Sequence, residues 1–153
     1  MRKIQPISFT KEGLENIKKE YEALLADRPQ AVKNLTEARN MGDLSENGLY
    51  KGTRARLTSI DATLRKLKNT IKLAVVEKVR TNGTIGIGSR VTVSDGKKSR
   101  VFYIVGTYES DPATNKISAY SPIGNSLLSK KVGEKIEVQT PSGIVFYEIL
   151  EIK

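Results

Sequence analysis

The chain has no cysteine, no histidine and no tryptophan. Without cysteine there is no disulfide frame and no thiolate metal site. Without histidine, histidine-held zinc and histidine-based catalytic triads are excluded as well. Long hydrophobic runs are also missing. No stretch supplies the ~20 apolar residues that a membrane-spanning helix needs. Met1-Arg2-Lys3-Ile4-Gln5-Pro6 has no apolar core of the signal-peptide kind. The expectation is a soluble, cytoplasmic chain with no membrane partner. Acids are the scarce charge: 17 Asp and Glu stand against 26 Lys and Arg, a formal net charge of +9. Any chemistry must therefore rest on Asp, Glu, Lys, Tyr, Ser or Thr, or on a metal that a partner supplies.

The first half is organised by a seven-residue period. Leu14, Tyr21, Arg28 and Leu35 form one series, and Ile17, Leu24, Ala31 and Ala38 form the other. A second segment repeats the pattern with Leu57, Leu64 and Ile71, and with Ile60, Leu67 and Ala74. Spacings that alternate between three and four place both series on one helical stripe. Two such stripes joined by a turn bury each other as an antiparallel coiled-coil hairpin. Thr10 is the expected N-cap of the first helix. A helix from Thr10 to Asn40 would run about 45 Å at ~1.5 Å per residue, so the hairpin is expected to project. Arg28 interrupts the stripe and Pro29 follows it. Proline removes a backbone donor and crowds the preceding turn, which predicts a kink, or a break recapped by Asp27.

Charge is distributed unevenly over the second helical segment. From Lys51 to Lys72 the basic residues are Lys51, Arg54, Arg56, Arg65, Lys66, Lys68 and Lys72, with Asp61 as the lone acid. Such a strip suits a polyanion or an acidic channel wall, and equally a solvated helix face. Aromatic residues are not interleaved with these cations, which argues against a base-stacking platform.

After Leu73 the pattern changes. Arg90–Val93 reads as a strand, Asp95-Gly96 as a hairpin turn and Arg100–Val105 as the return strand. Lys116–Tyr120 is a further short strand. Ser121-Pro122 followed by Ile123–Leu128 reads as a short helix with Ser121 as cap and Pro122 at its first position. Lys135–Gln139 and Ile144–Ile152 are two strands joined around Thr140-Pro141-Ser142-Gly143. The expected fold class is thus α+β, with a helical hairpin over 1–79, a connector over 80–83 and a small β-sheet domain with a short helix over 84–153.

The two helical segments are joined by Gly42-Asp43-Leu44-Ser45-Glu46-Asn47, followed by Tyr50. Asp43 and Glu46 are thereby placed at the far end of the hairpin. Two carboxylates three residues apart at such a tip can hold a divalent cation or a water. From spacing alone Asp43 suits the N-cap of the second helix just as well, and Ser45-Glu46 suits ordinary turn polarity. Leu44 fits a plug at the hairpin end, Ser45 and Asn47 fit side-chain-to-backbone turn bonds, and Tyr50 fits either a core ring or a contact to a partner.

The tip hexapeptide with Tyr50, together with Ser121-Pro122 through Lys130-Lys131-Val132-Gly133-Glu134 and Val138–Gly143, resembles the bacterial transcript cleavage factors of the GreA/GreB family over nearly the whole chain. Arg28-Pro29 is similar to the family's first helix too. The resemblance implies a C-terminal domain like the FKBP-type isomerases, and RNA polymerase as partner. It implies that the C-terminal domain grips the rim of the polymerase secondary channel, with Ser121, Pro122, Lys130 and Lys131 as the matching positions. For Lys130 and Lys131 a solvated loop is the competing role. It further implies that the hairpin enters the channel, where Asp43 and Glu46 help the polymerase's own active centre hydrolyse the 3′ end of backtracked RNA. No cofactor is expected on the chain alone. Mg²⁺ would be shared with the polymerase, held by Asp43 and Glu46 only inside that active centre. Arg54, Arg56, Arg65, Lys66, Lys68 and Lys72 become candidate contacts to backtracked RNA or the channel wall.

The chain departs from the family pattern at Gly48-Leu49, where a small residue and an acid are usual, and over Lys51-Gly52-Thr53-Arg54-Ala55-Arg56. Two other function classes stand beside the cleavage factor: a channel-binding regulator that does not promote cleavage, and a prolyl isomerase. Retention of both tip acids argues against the first. The few dispersed aromatics of the β-domain argue against the second, since fold does not fix function. The chain is expected to act as a monomer and to have no enzymatic activity of its own.

Overall fold

The computed structural model describes residues 6–42, 47–80 and 82–153. Asp43, Leu44, Ser45 and Glu46, and with them the expected metal-holding and plugging roles, lie outside the described residues. The elements run β1 (Ile7–Phe9), α1 (Lys11–Asn40), α2 (Gly48–Leu73), β2 (Ala74–Val76), β3 (Arg90–Ser94), β4 (Ser99–Val105), β5 (Lys116–Ser118), α3 (Pro122–Leu127), β6 (Lys135–Thr140) and β7 (Gly143–Ile152). The fold is α+β. Residues Glu15–Leu73 form one compact unit; the described residues up to Leu14 join Ala74–Lys153 in the other.

In the helical unit the heptad positions are the ones that leave solvent. Ala31, Ile60 and Leu64 form a buried cluster, with Tyr21, Leu24 and Leu57 packed against it. Small Ala31 leaves room for the larger Ile60 and Leu64, in knobs-into-holes fashion. Burying a side chain of that size stabilises by roughly 1.5–3 kcal/mol. Ala74 ends the second heptad series in the sequence but begins β2 in the fold.

Pro29 lies inside α1, which is helical from Lys11 to Asn40 without a break. The expected break is absent for a local reason. Pro29 and Leu25 both sit on the exposed face, where water can satisfy the Leu25 carbonyl that proline leaves unbonded. Asp27 does not recap the helix; its carboxylate accepts from the Arg56 guanidinium at 3.0 Å.

The β-unit holds a five-stranded sheet in the order β5-β4-β3-β7-β6. Only β4 and β5 pair in parallel; the other neighbours are antiparallel. Alternation along the strands buries one face. Val91, Val93, Phe102, Ile104, Val138, Tyr147 and Ile149 enter the core, where Ile85 and Leu127 also sit. Ile104, fully buried, is a position where truncation to alanine would cost roughly 2–5 kcal/mol.

The Asp95-Gly96 turn forms as its chemistry requires. Asp95 Oδ1 accepts from the Lys97 and Lys98 N–H groups at 2.9 and 2.8 Å, and Gly96 has φ +84°. Those two N–H donors hold the Asp95 carboxyl below its usual range.

One pairing went unforeseen. β1 and β2 form a separate two-stranded parallel sheet, Ile7 opposite Ala74 through Phe9 opposite Val76. It draws the segment before α1 and the segment after α2 into the β-unit, so the compact division falls at Leu14 and Leu73.

Candidate functional site

The hairpin tip is organised by Asn47. Its Oδ1 accepts from the Tyr50 N–H at 3.0 Å, while its Nδ2 donates to the Ala38 carbonyl at 2.9 Å. The first bond caps α2, because the N-cap side chain satisfies an N–H of the first turn that has no helical partner. The second ties that cap to the last turn of α1. One side chain therefore bridges the two helix ends that flank Asp43–Glu46. The capping role that spacing offered to Asp43 belongs to Asn47. Gly42, at φ +116°, adopts a backbone conformation that a side chain would strain. Tyr50 is half-buried, while Met41 and Leu49 are 70% and 54% exposed.

Below the tip, Gly48 and Gly52 face open space. With Ala31, Asn34, Leu49, Thr53 and Arg56 they line a shallow groove of about 250 Å³. The groove exists because neither glycine has a side chain to fill it.

The basic strip is exposed along α2: Arg54, Arg56, Arg65, Lys66, Lys68 and Lys72 all face solvent. Among the described residues only Arg56 of these is held in an ion pair, with Asp27. Asp61, the strip's lone acid, is committed elsewhere. Its Oδ1 accepts from Arg28 Nε at 2.6 Å and its Oδ2 from a terminal guanidinium nitrogen at 3.2 Å. This fork holds the Asp61 carboxyl below its usual range and raises the Arg28 guanidinium. The partner roles of Asp27 and Asp61 were missed in the sequence. The available signal was that each acid lies near a heptad seam opposite a surplus of arginine.

In the β-unit, the Ser121 hydroxyl accepts from the Gly124 N–H at 3.1 Å and donates to the Ser118 carbonyl at 2.7 Å. It caps α3 as expected and spends its hydrogen bonds inside the fold. Pro122 is exposed at the first helical position. After α3 the chain returns through Lys130 and Lys131. Glu134 organises this loop: it accepts from the Lys131 N–H at 2.6 Å and lies 3.3 Å from Lys130 Nζ. The Lys131 N–H first, and the two lysines with it, keep the Glu134 carboxyl below its ordinary range. Pro122 and the Lys131 side chain are thus presented outward near the two ends of one short helix.

Of the β-unit aromatics, Tyr108 and Tyr120 line one open surface cavity with Pro6, Ile7, Ser8 and Thr107, and the others are dispersed. Phe102 and Tyr147 pack edge to face in the core at 6.3 Å. Tyr103 lies beneath the Arg90 guanidinium at 5.8 Å, Tyr108 stacks on Phe9, and Tyr120 and Phe146 are exposed. Among the described residues, no group of three metal-ligating carboxylates comes together, and no helix is long and apolar enough to cross a membrane.

Comparison with known proteins covers both units. Residues 7–76 match the family model described as the N-terminal domain of transcription elongation factors, and residues 80–153 match that for the GreA/GreB C-terminal domain. The transcription elongation factor GreA of Rhodospirillum rubrum is 36% identical over 155 residues, spanning 98% of this chain and 99% of that protein. GreA of Mesoplasma florum is 40% identical over 151 residues, spanning 95% and 97%. Among solved structures, the GreA factor homolog 1 (Gfh1) of Thermus thermophilus aligns with a TM-score of 0.46 at 25% identity, over 97% of this chain and 99% of that one.

Proposed function

Because the chain belongs to the GreA/GreB family of transcription elongation factors, we propose that it stimulates RNA polymerase to hydrolyse the 3′ end of backtracked RNA. In this reading Asp43 and Glu46 are the residues that act at the reacting phosphate. The observation that carries it is the Asn47 bridge. Asn47 caps α2 and ties it to Ala38, so the cap of the second helix comes from a residue outside the pair of acids.

The donor set fits a hard cation. Mg²⁺ takes oxygen ligands and is commonly held by one or two carboxylates plus phosphate. When bound, it supplies an activated water and stabilises the leaving oxygen. Two carboxylates are too few to hold it alone, so the remaining ligands would come from the polymerase and the RNA. Asp43 and Glu46 would each offer a carboxylate oxygen, and either can accept a hydrogen bond from the attacking water and hold it in line. The chain would supply part of a site whose hydrolytic activity belongs to the polymerase.

The other residues divide between grip and guidance. Pro122, Lys130 and Lys131, on the scaffold that Ser121 and Glu134 fix, would hold the polymerase rim. The exposed cations from Arg54 to Lys72 would run beside RNA or an acidic channel wall. The test is to add the purified chain with Mg²⁺ to a stalled, backtracked elongation complex and follow RNA length. Shortened transcripts are the expected result. Binding without shortening would identify a non-cleaving regulator, and an assay of proline-peptide isomerisation separates the remaining class.

A further inference from the structure

The chain leading into α1 is gripped residue by residue by the turn that follows β4. A Cβ on Gly106 would stand 2.0 Å from the Ser8 carbonyl oxygen, so only glycine lets the two backbones approach. Tyr108 stacks on Phe9, which is fully buried, with ring centroids 5.9 Å apart. The Glu109 carboxylate then accepts from the Thr10 N–H at 2.8 Å and the Gly106 N–H at 3.2 Å, and the Thr10 hydroxyl donates to it as well. The chain leaving α2 is tied to the same place. Glu77 N–H donates to the Phe9 carbonyl and Ser8 Oγ to the Glu77 carboxylate, both at 2.9 Å.

Capping does not account for Glu109. Thr10 Oγ1 already accepts from the Gly13 N–H at 3.0 Å, which is the bond an N-cap supplies. Glu109 comes in addition, and it requires a vacancy. A Cβ on Gly13 would lie 1.9 Å from Glu109 Oε1 and 2.1 Å from its Cδ. Glycine in a helix weakens it, and here its missing side chain is the seat of the carboxylate.

We propose that Glu109, seated against Gly13, is a positioning residue. It clamps the first turn of α1 to the turn that follows β4, and the rate of stimulated cleavage depends on that clamp. The inference rests on the cleavage reading above. Loosening the clamp lowers the rate at saturation more than the affinity, because small misplacements of reacting groups are costly in rate.

The chain has no cysteine, so Lys11→Cys and Lys97→Cys, both at exposed positions, allow clean double spin labelling. The distance distribution between these labels is measured in the full chain carrying Glu109→Ala, Glu109→Gln, Gly13→Ala, or Gly13→Ala with Glu109→Ala. Cleavage by the same unlabelled variants is titrated on backtracked complexes. We expect a narrow distribution without the clamp substitutions, and a broadened one for Glu109→Ala and for Gly13→Ala. The maximal cleavage rate should fall on the order of tenfold, with the half-saturating concentration changed less than about twofold. Glu109→Gln, which keeps the shape and one acceptor oxygen, should lie between. The double variant should be no worse than either single, since both remove one contact. Unchanged distance distributions, a loss confined to affinity, or additive losses in the double variant would each overturn the proposal. If the unsubstituted chain cleaves nothing, the cleavage reading fails and the distance measurements still judge the clamp. Should Glu109→Ala fail to fold, Glu109→Gln and Gly13→Ala carry the test.

Discussion

Arg28 and Asp61 face each other across the helical hairpin in a two-pronged ion pair, Nε to Oδ1 at 2.6 Å and a terminal nitrogen to Oδ2 at 3.2 Å. Arg28 occupies a seam position that the heptad pattern assigns to an apolar residue, and both partners are half-buried. The pair sets the register of α1 against α2, because one residue of slip would leave a cation on the seam without its carboxylate. Asp61→Ala should therefore lower the hairpin's melting temperature by more than Arg28→Leu with Asp61→Ala, which removes both charges. Circular dichroism melts of the two variants check the order. Equal melts would mean the pair does not hold the register.

The same pair gives a pH dependence of definite sign. The Arg28 hydrogen bond depresses the folded-state pKa of Asp61, so the stability it contributes is present above the ordinary aspartate range, about pH 3.9. That stability is lost as pH falls through the depressed folded value. Asp95 and Glu134 are shifted in the same direction. Acid titration should show the unsubstituted chain losing stability below about pH 4, with a shallower loss in Asp61→Asn.

At the tip, Asp43→Ala and Glu46→Ala should each cut stimulated cleavage by on the order of 10²-fold, the scale of losing one preorganised charge contact in a transition state. Polymerase affinity should stay close to its original value. Cleavage retained by the double variant would refute the assignment of these acids.

Asn47→Ala should cost about 1 kcal/mol for the lost cap and release the tie to Ala38. It should also reduce cleavage while both acids remain. Gly52→Ala tests the same helix in the opposite direction. A Cβ there meets nothing within 4 Å, so the change should stabilise by up to ~1 kcal/mol. Thermal melts of both variants should move in opposite directions.

Along the basic strip, Arg54→Glu should slow association with the elongation complex and flatten its dependence on salt, since the field is screened over about 8 Å at physiological ionic strength. Arg56→Glu should do this and also destabilise the hairpin, because Arg56 is paired with Asp27. If neither substitution alters the rate or its salt slope, the strip is a solvated face.

What the sequence determined by itself is local in origin. The heptad series placed both helices because burial of one stripe needs only a periodic residue choice along each segment. Asp95-Gly96 and the Ser121-Pro122 cap were legible because a turn or a helix start is decided within about four residues. The tip hexapeptide pointed to the family for the same reason, as a short run read in place. Tertiary structure alone decided the rest. β1 and β2 are three residues each, 67 positions apart at Ile7 and Ala74, and neither has a pattern until the other lies beside it. Arg28 looked like a flaw in the stripe until Asp61 met it, and Pro29 like a break until its face proved to be the wet one. The Glu109 carboxylate bonds locally only to the Gly106 N–H, which does not mark its larger part. Its role comes from Thr10 and Gly13, brought to it from nearly a hundred residues away, and contacts across that separation are set by the packing of the whole fold.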